Sequence, residues 1–272
     1  MKKKNLIMTT LAGLLLAMLL ATGCQSILVT RTGEKPSEET ETRQFYFTEF
    51  SRLEIGSAFS YEIKQSDTYS ISITANDNLF DDIEVTKEGQ TLKIGIEFPE
   101  FRWAIFNSID PKPKAVITMP QLYGLNSSGA THGTVANFNS KENLEIEVSG
   151  ASSVELVEIS AGDIQFEVSG ASNMAGDIAA EAIDLEVSGA SSVQLEGSAR
   201  EAVIYASGAS HLRLASFTVN NADVTLSGAS ECTLNLTGRL DIDLSGASEL
   251  EYIGEPTLGK MDITGASTLK KK

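Results

Sequence analysis

Apolar and polar residues alternate with a period of two through most of the chain after residue 125, on either side of a recurring Ser-Gly-Ala-Ser motif. One apolar residue stands three places before the first serine or threonine of each copy. In every copy but the first, another apolar residue stands one place before it, with a polar and often acidic residue between the two. The alternation resumes five places after that serine. A period of two is typical of strands with one buried face, so each copy predicts two short strands joined at the motif and followed by a turn.

The motif recurs at regular intervals. Its copies, including one SGAT and one TGAS, begin at residues 128, 149, 169, 188, 207, 227, 245 and 264. A coil of about 19 residues cannot bury its apolar side alone, whereas stacked coils can, so the pattern predicts an all-β fold, a parallel β-helix or β-solenoid. The leucine-rich repeat frame is absent, and the one helix-like run, 179–183, is too short to be stable alone.

The tetrapeptide is predicted to form a corner of each coil. Glycine permits a sharp turn, and the alanine after it is expected to point into the bend, so that Ala190→Leu would overpack the coil. A nucleophilic serine is a poor interpretation, because eight near-identical serines cannot each have a base and the chain has only His132 and His211. Cys232 falls in an inward column and is predicted to be a buried apolar side chain. His211 stands one place before the same inward column and is therefore predicted to face outward.

Residues 45–125 are less regular but are predicted to begin the same solenoid, so 45–272 is taken as one domain. The stretch 50–65 echoes the later coils and predicts a degenerate first coil, and 82–98 predicts a hairpin about Glu-Gly-Gln. The stretch 99–114 breaks the pattern. Its aromatic and basic residues predict a loop that binds a glycan or a protein partner or, alternatively, covers the end or side of the solenoid. These candidate binding residues are Phe101, Arg102, Trp103 and Phe106.

The first residues predict an export signal. Three lysines precede an uncharged stretch, 6–21, which is too short for a typical membrane span and ends in small residues and Cys24. Residues 21–24 resemble a bacterial lipobox, although alanine stands where leucine is usual. We therefore predict a lipoprotein signal peptide at 1–23, a lipidated Cys24 and a flexible tether at 24–44. An ordinary secretory signal is the alternative; glutamine after Cys24 favours the outer membrane.

The charge pattern restricts the partners. The net charge of −16 becomes −19 once residues 1–23, with three lysines and no acids, are removed. Such a surface repels nucleic acid, and no cofactor is predicted. Five of the acids between the apolar columns fall in one outward column, which is either a solvated face or a row able to hold Ca²⁺. They are Glu147, Glu167, Glu186, Asp243 and Asp262.

Several stretches together resemble a known family. The frame LEIGSAFSYEI, then TLKIGI, VITMPQLYGLNSSGAT, the serial LEVSGAS coils and LEYIGEPTL resembles the head GIN domain of putative auto-transporter adhesins over residues 45–269. The YIGEP at 252–256 and the serial corners are the most specific parts. The resemblance implies an all-β parallel-helix protein that is secreted or lipid-anchored in a bacterial envelope, and it supplies no catalytic residues.

We therefore predict a non-enzymatic envelope lipoprotein that presents a rigid solenoid for adhesion to, or binding of, a glycan or an envelope protein. One alternative is a carbohydrate-active β-helix enzyme that uses the acidic column, although no arginine or lysine cluster accompanies it. A second alternative is an envelope scaffold or sensor-associated protein whose open strand edges pair with another copy. The terminal lysines at 270–272 disfavour end-to-end stacking.

Overall fold

The structure is a computed structural model, and it describes residues 39–97 and 113–272, all within one compact unit, Pro36–Lys272. Apart from one 3₁₀ turn at Asp77–Leu79, the regular elements of these residues are strands. The strands are β1 (Thr40–Phe45), β2 (Arg52–Ile55), β3 (Ser60–Gln65), β4 (Ser70–Asn76), β5 (Ile83–Glu88), β6 (Thr91–Ile96), β7 (Lys114–Met119), β8 (Gly124–Ser127), β9 (His132–Ala136), β10 (Leu144–Val148), β11 (Ser153–Ser160), β12 (Asp163–Val168), β13 (Asn173–Val187), β14 (Ser192–Ala206), β15 (His211–Leu226), β16 (Glu231–Leu236), β17 (Arg239–Leu244), β18 (Glu249–Ile253), β19 (Thr257–Ile263) and β20 (Thr268–Lys271). Within the described ranges, no helix has the length and apolar character needed to cross a bilayer.

The strands stack into two ladders, which confirms the predicted parallel solenoid. The first ladder runs β5, β6, β2, β8, β10, β12, the second halves of β13, β14 and β15, then β17 and β19. The second runs β1, β4, β7, β3, β9, β11, the first halves of β13, β14 and β15, then β16, β18 and β20. Pairing is parallel except at the end formed by β1, β4 and β5, which we call the cap end.

The order of the first coils in space differs from their order along the chain. The coil of β2 and β3, predicted to be the first, lies between the coil of β6 and β7 and the coil of β8 and β9. After β3 the chain forms antiparallel β4 and the predicted hairpin of β5 and β6, and it then forms β7. The next coil, formed by β8 and β9, pairs with β2 and β3 on the side opposite to β6 and β7.

The inward columns form ladders of buried side chains. The residues three places before the corners that begin at 149, 169, 188, 207, 227 and 245 pair in register from strand to strand, and each is at most 2% exposed. Each of these side chains therefore packs between like residues of the rungs on either side, which removes apolar area from water along the whole stack. The column contains Ile146, Phe166, Leu185, Ile204, Val224 and Ile242.

The corner glycines stack directly on one another. Gly228 has φ +71°, and a Cβ at this position would lie 2.5 Å from the carbonyl oxygen of Gly208 on the preceding rung. The amide of Ala229 donates to the same carbonyl oxygen at 2.7 Å. Only glycine combines the positive φ with this close approach, which is why the motif repeats at each rung.

The prediction that the corner alanine points into the bend is wrong. Ala190 and Ala229 are exposed, whereas the serine that follows each of them, Ser191 or Ser230, is fully buried. The turn at glycine interrupts the period-two alternation, so that three consecutive residues lie on the outside of the corner. The inward serine is small enough for the bend, and Ser230 Oγ donates to the carbonyl oxygen of Ser227 at 2.8 Å, which satisfies the buried hydroxyl.

Each central coil has a second bend, between one corner and the next. The sequence predicted a turn between two short strands there, but the structure has one long strand that bends. β13, β14 and β15 each run without interruption from one corner to the next, over 15, 15 and 16 residues. Gly197, with φ +104°, allows β14 to bend while its ladder hydrogen bonds to both neighbours continue. The helix-like run 179–183 lies within β13, because pairing with β12 and β14 outweighs a local preference for helix.

Candidate functional site

The predicted outward column lies on the first ladder, where its acids form a group of three and a group of two. Glu147, Glu167 and Glu186 pair in register on consecutive rungs, and Tyr205 and Thr225 separate them from Asp243 and Asp262. Consecutive rungs are about 4.8 Å apart, so the row concentrates negative charge at the surface. At its start, Asn126 Nδ2 donates to Glu147 Oε2 at 2.6 Å.

A groove of about 260 Å³ lies between this column and the corners of the same rungs, and we call it the corner groove. Its lining includes the carboxylates of the row, the Tyr205 side chain, which is 47% exposed, and the first serines of successive corners. Carboxylates accept hydrogen bonds, serine hydroxyls donate and accept them, and an exposed aromatic ring offers an apolar face. This combination fits a ligand that has many hydroxyl groups on a compact, partly apolar skeleton. The groove-lining side chains are Glu147, Glu167, Ser169, Glu186, Ser188, Tyr205, Ser207, Thr225 and Ser227.

A second cavity, of about 570 Å³, lies at the cap end beside the hairpin of β5 and β6. Its charged lining includes Lys93, whose Nζ lies 2.9 Å from Glu88 Oε2 and 3.6 Å from Glu54 Oε2. These contacts raise the pKa of Lys93, chiefly through the hydrogen bond to Glu88. The lysine therefore stays charged and offsets part of the negative charge of the cavity.

Glu84 and Glu97 form a carboxyl pair in the same cavity. The negative charge of Glu97, together with a hydrogen bond between the two groups, raises the pKa of Glu84 above its ordinary value. Both side chains are exposed, so charge repulsion rather than burial causes the shift. The sequence analysis did not identify this pair. The predicted hairpin contained the necessary signal, because antiparallel pairing places Glu84 opposite Gly95 and diagonal to Glu97.

The residues predicted as sites from sequence lie outside the described ranges. This holds for Cys24 and for the candidate binding residues Phe101, Arg102, Trp103 and Phe106, so these assignments stay predictions. The last described residue before the stretch 99–114 is Glu97, which lines the cap-end cavity.

Cys232 and His211 lie where the repeat predicts them. Cys232 lies fully buried between Leu212 and Leu250 of the adjacent rungs, and burial raises the pKa of its thiol to about 12. His211 is exposed, with its Nε2 3.7 Å from Glu231 Oε2. In the parts of the chain that the structure describes, no three His, Cys, Asp or Glu side chains are grouped so that they could hold a metal ion.

Comparison with known families decides the classification. A family profile described as "Putative auto-transporter adhesin, head GIN domain" matches residues 49–256, which is most of the chain. The chain belongs to this head GIN family. The match begins just before the coil of β2 and β3 and ends at Pro256, the last residue of the YIGEP stretch, so it includes β4 and β5 of the cap end and seven of the eight corners.

Solved structures share the head GIN fold. A putative adhesin from Parabacteroides merdae has a TM-score of 0.79 at 18% identity, with 88% of this chain and 98% of that chain covered. A putative lipid binding protein from Parabacteroides distasonis has a TM-score of 0.74 at 23% identity (88% and 99%). A putative adhesin from Bacteroides fragilis has a TM-score of 0.67 at 24% identity (88% and 100%). A search of curated proteins found no match.

Proposed function

We propose that this head GIN protein is a non-enzymatic envelope lipoprotein that adheres to neutral or amino-sugar glycans through the corner groove. The observation behind this proposal is the groove itself, where a row of carboxylates, the corner serines and the exposed Tyr205 ring face one channel. The family name supports adhesion as the class of function.

The form of the groove suits an extended ligand. Its walls come from successive rungs held by continuous ladder hydrogen bonds, so the side chains keep a fixed spacing. A preorganised surface loses little entropy on binding, and repeated weak contacts add along a polymer. The negative charge of the row and of the whole chain disfavours sulfated, phosphorylated or nucleic-acid polymers, and an amino sugar would gain charge-assisted hydrogen bonds.

Binding without catalysis is the simpler interpretation of the carboxylates. The row repeats one environment, whereas an acid/base pair needs two carboxyls whose environments push their pKa values apart. The Glu84 and Glu97 pair does have one raised pKa, but that pair lies on an open surface and its shift comes from mutual repulsion.

Glycan binding can be tested with the purified chain from residue 25 onward. Every described strand lies after residue 39, so this chain keeps the described fold. An array of neutral, amino-sugar and sulfated glycans should give binding to the first two classes only. Tyr205→Ala should lower the affinity about tenfold through lost stacking, whereas Tyr46→Ala, which removes a 92% exposed tyrosine far from the groove, should leave it unchanged. Absence of binding to every glycan, or equal effects of the two variants, would refute the proposed ligand.

Anchoring through Cys24 has its own test. In a bacterial host, Cys24→Ala in the full chain should abolish labelling by a radioactive fatty acid and release the protein from the membrane fraction. Cys232→Ala is the matched control, since that thiol is buried and should not affect labelling. A wild-type chain without label would leave only an ordinary secretory signal, and labelling that survives Cys24→Ala would refute Cys24 as the lipidated residue.

A further inference from the structure

The last rung of the described stack leaves its inward apolar column uncovered. Leu258, Met261 and Ile263 of β19 are 39%, 52% and 42% exposed. The residues in the same columns one rung earlier, on β17, are buried to within 2% because β19 covers them. The side chains of β19 would thus be buried if a further strand were added at this end, which we call the open end.

The two ends of the stack differ in how their edges are protected. At the cap end, antiparallel β1 and β5 form the outermost strands, and both expose charged and polar side chains. At the open end, β19 pairs only with β17 and β20 only with β18 among the described residues. An unpaired edge with exposed apolar residues is a ready template for another strand.

The charge sequence of β19 is self-complementary. Lys260 and Asp262 flank Met261, and all three side chains are exposed. Among the described residues, neither charged side chain takes part in a salt bridge, although Lys260 lies near Asp241 and, after Arg239, helps to lower the pKa of that carboxyl. If two β19 strands paired antiparallel with Met261 opposite Met261, each Lys260 would face Asp262 of the other copy, and cross-strand pairs of opposite charge are favourable.

The sequence analysis took the terminal lysines as evidence against end-to-end stacking. In the structure, glutamates of the same chain offset the positive charges of these lysines. Lys270 forms an ion pair with Glu249, Lys271 with Glu255, and Lys272 Nζ lies 3.4 Å from Glu251 Oε2. The glutamates belong to the preceding rung and its turn, so the open end does not present three uncompensated positive charges. Repulsion between two such ends is correspondingly reduced.

We propose that two copies of this chain associate through their open ends, with the β19 strands paired antiparallel about a two-fold axis at Met261. The pairing would continue the ladder across the two copies, cover Leu258, Met261 and Ile263 with the β19 strand of the other copy and form two Lys260–Asp262 ion pairs. It is an isologous contact and closes after two copies, so it forms a dimer and not a fibre.

The geometry of the stack gives such a dimer a consequence. The described chain begins in β1 at one end of the second ladder and finishes in β20 at the other, eleven strand steps away. Two copies joined at the open ends would therefore hold their β1 strands about 110 Å apart. In the proposed adhesion role, copies anchored on facing membranes could join in this way, and this consequence alone rests on the proposed function.

Sedimentation of the chain from residue 25 onward over a concentration series tests the dimer. The wild-type chain should reach twice the monomer mass. Lys260→Glu or Asp262→Lys alone should raise the dissociation constant about tenfold or more, because each creates two like-charge contacts, and the double variant should restore it. Glu155→Lys, which makes the same charge change as Asp262→Lys at an exposed position of β11, far from the open end, should have no effect. A wild-type monomer at every concentration, or a double variant no better than the single ones, would overturn the proposal whether or not the glycan test succeeds.

A cysteine scan fixes the register independently. Met261→Cys should form a disulfide-linked dimer under mild oxidation, because the two Cα atoms would be directly opposite. Ile263→Cys is the matched control, since its copies would be four residues, or about 13 Å, out of register, beyond the roughly 7 Å that a disulfide spans. Cys232 is buried and should not contribute. Equal cross-linking of both variants, or of neither, would contradict the register.

Discussion

The close stacking of the corner glycines can be tested by Gly228→Ala. The substitution places a Cβ at φ +71°, which costs about 1–2 kcal/mol for an L-residue. The same Cβ would lie 2.5 Å from the carbonyl oxygen of Gly208, so the two rungs must separate locally. Separation weakens the 2.7 Å hydrogen bond from the Ala229 amide to that oxygen, which contributes about 1 kcal/mol.

Together these effects predict that Gly228→Ala lowers the free energy of unfolding by about 2–4 kcal/mol, or the melting temperature by about 4–16 °C. Gly89→Ala is the matched control, because Gly89 also has a positive φ, +58°, but a Cβ there would meet nothing within 4 Å. It should cost only the conformational part, about 1–2 kcal/mol. Thermal unfolding by circular dichroism measures both variants.

Hydrogen exchange should accompany the thermal measurement, since stacked coils can unfold in parts and not in one step. Gly228→Ala should speed exchange of the corner amides on its own rung and on the adjacent rungs, while Gly89→Ala should leave these amides protected. Equal losses of stability in the two variants would refute the close-approach argument and leave only the backbone preference of glycine.

Three further results are expected. Ala190→Leu should change stability by less than about 0.5 kcal/mol in thermal unfolding, because the side chain is exposed, and a loss of 1–3 kcal/mol would restore the inward orientation. Glu97→Gln should lower the pKa of Glu84 towards its ordinary value in an NMR titration, since removing a neighbouring negative charge favours ionisation; an unchanged pKa would show that the pair does not interact. Cys232 should resist alkylation at pH 8 until the chain unfolds, because burial raises its pKa to about 12, and rapid labelling of the folded chain would contradict its position between rungs.

The candidate site was predictable only in part. The alternating pattern before each corner correctly placed Glu147, Glu167 and Glu186 in one outward row, because register in a solenoid follows the repeat. The corner groove needed the structure, since Tyr205 and the first serines of the corners become neighbours only when rungs stack. The cap-end cavity depended on a non-sequential arrangement of coils that no local pattern indicates.

The sequence by itself determined the fold class, because a period near 19 residues with period-two alternation has one economical way to bury its apolar columns, and it also determined the family. The tertiary structure decided the orientation of the corner residues, the continuity of the central strands and the exposure of the last strand. The positive φ of the corner glycine turns the serine inward and the alanine outward, and pairing across rungs keeps β13 to β15 continuous through their bends. It also left β19 uncovered, since an edge is exposed or buried according to its neighbours and not its own residues.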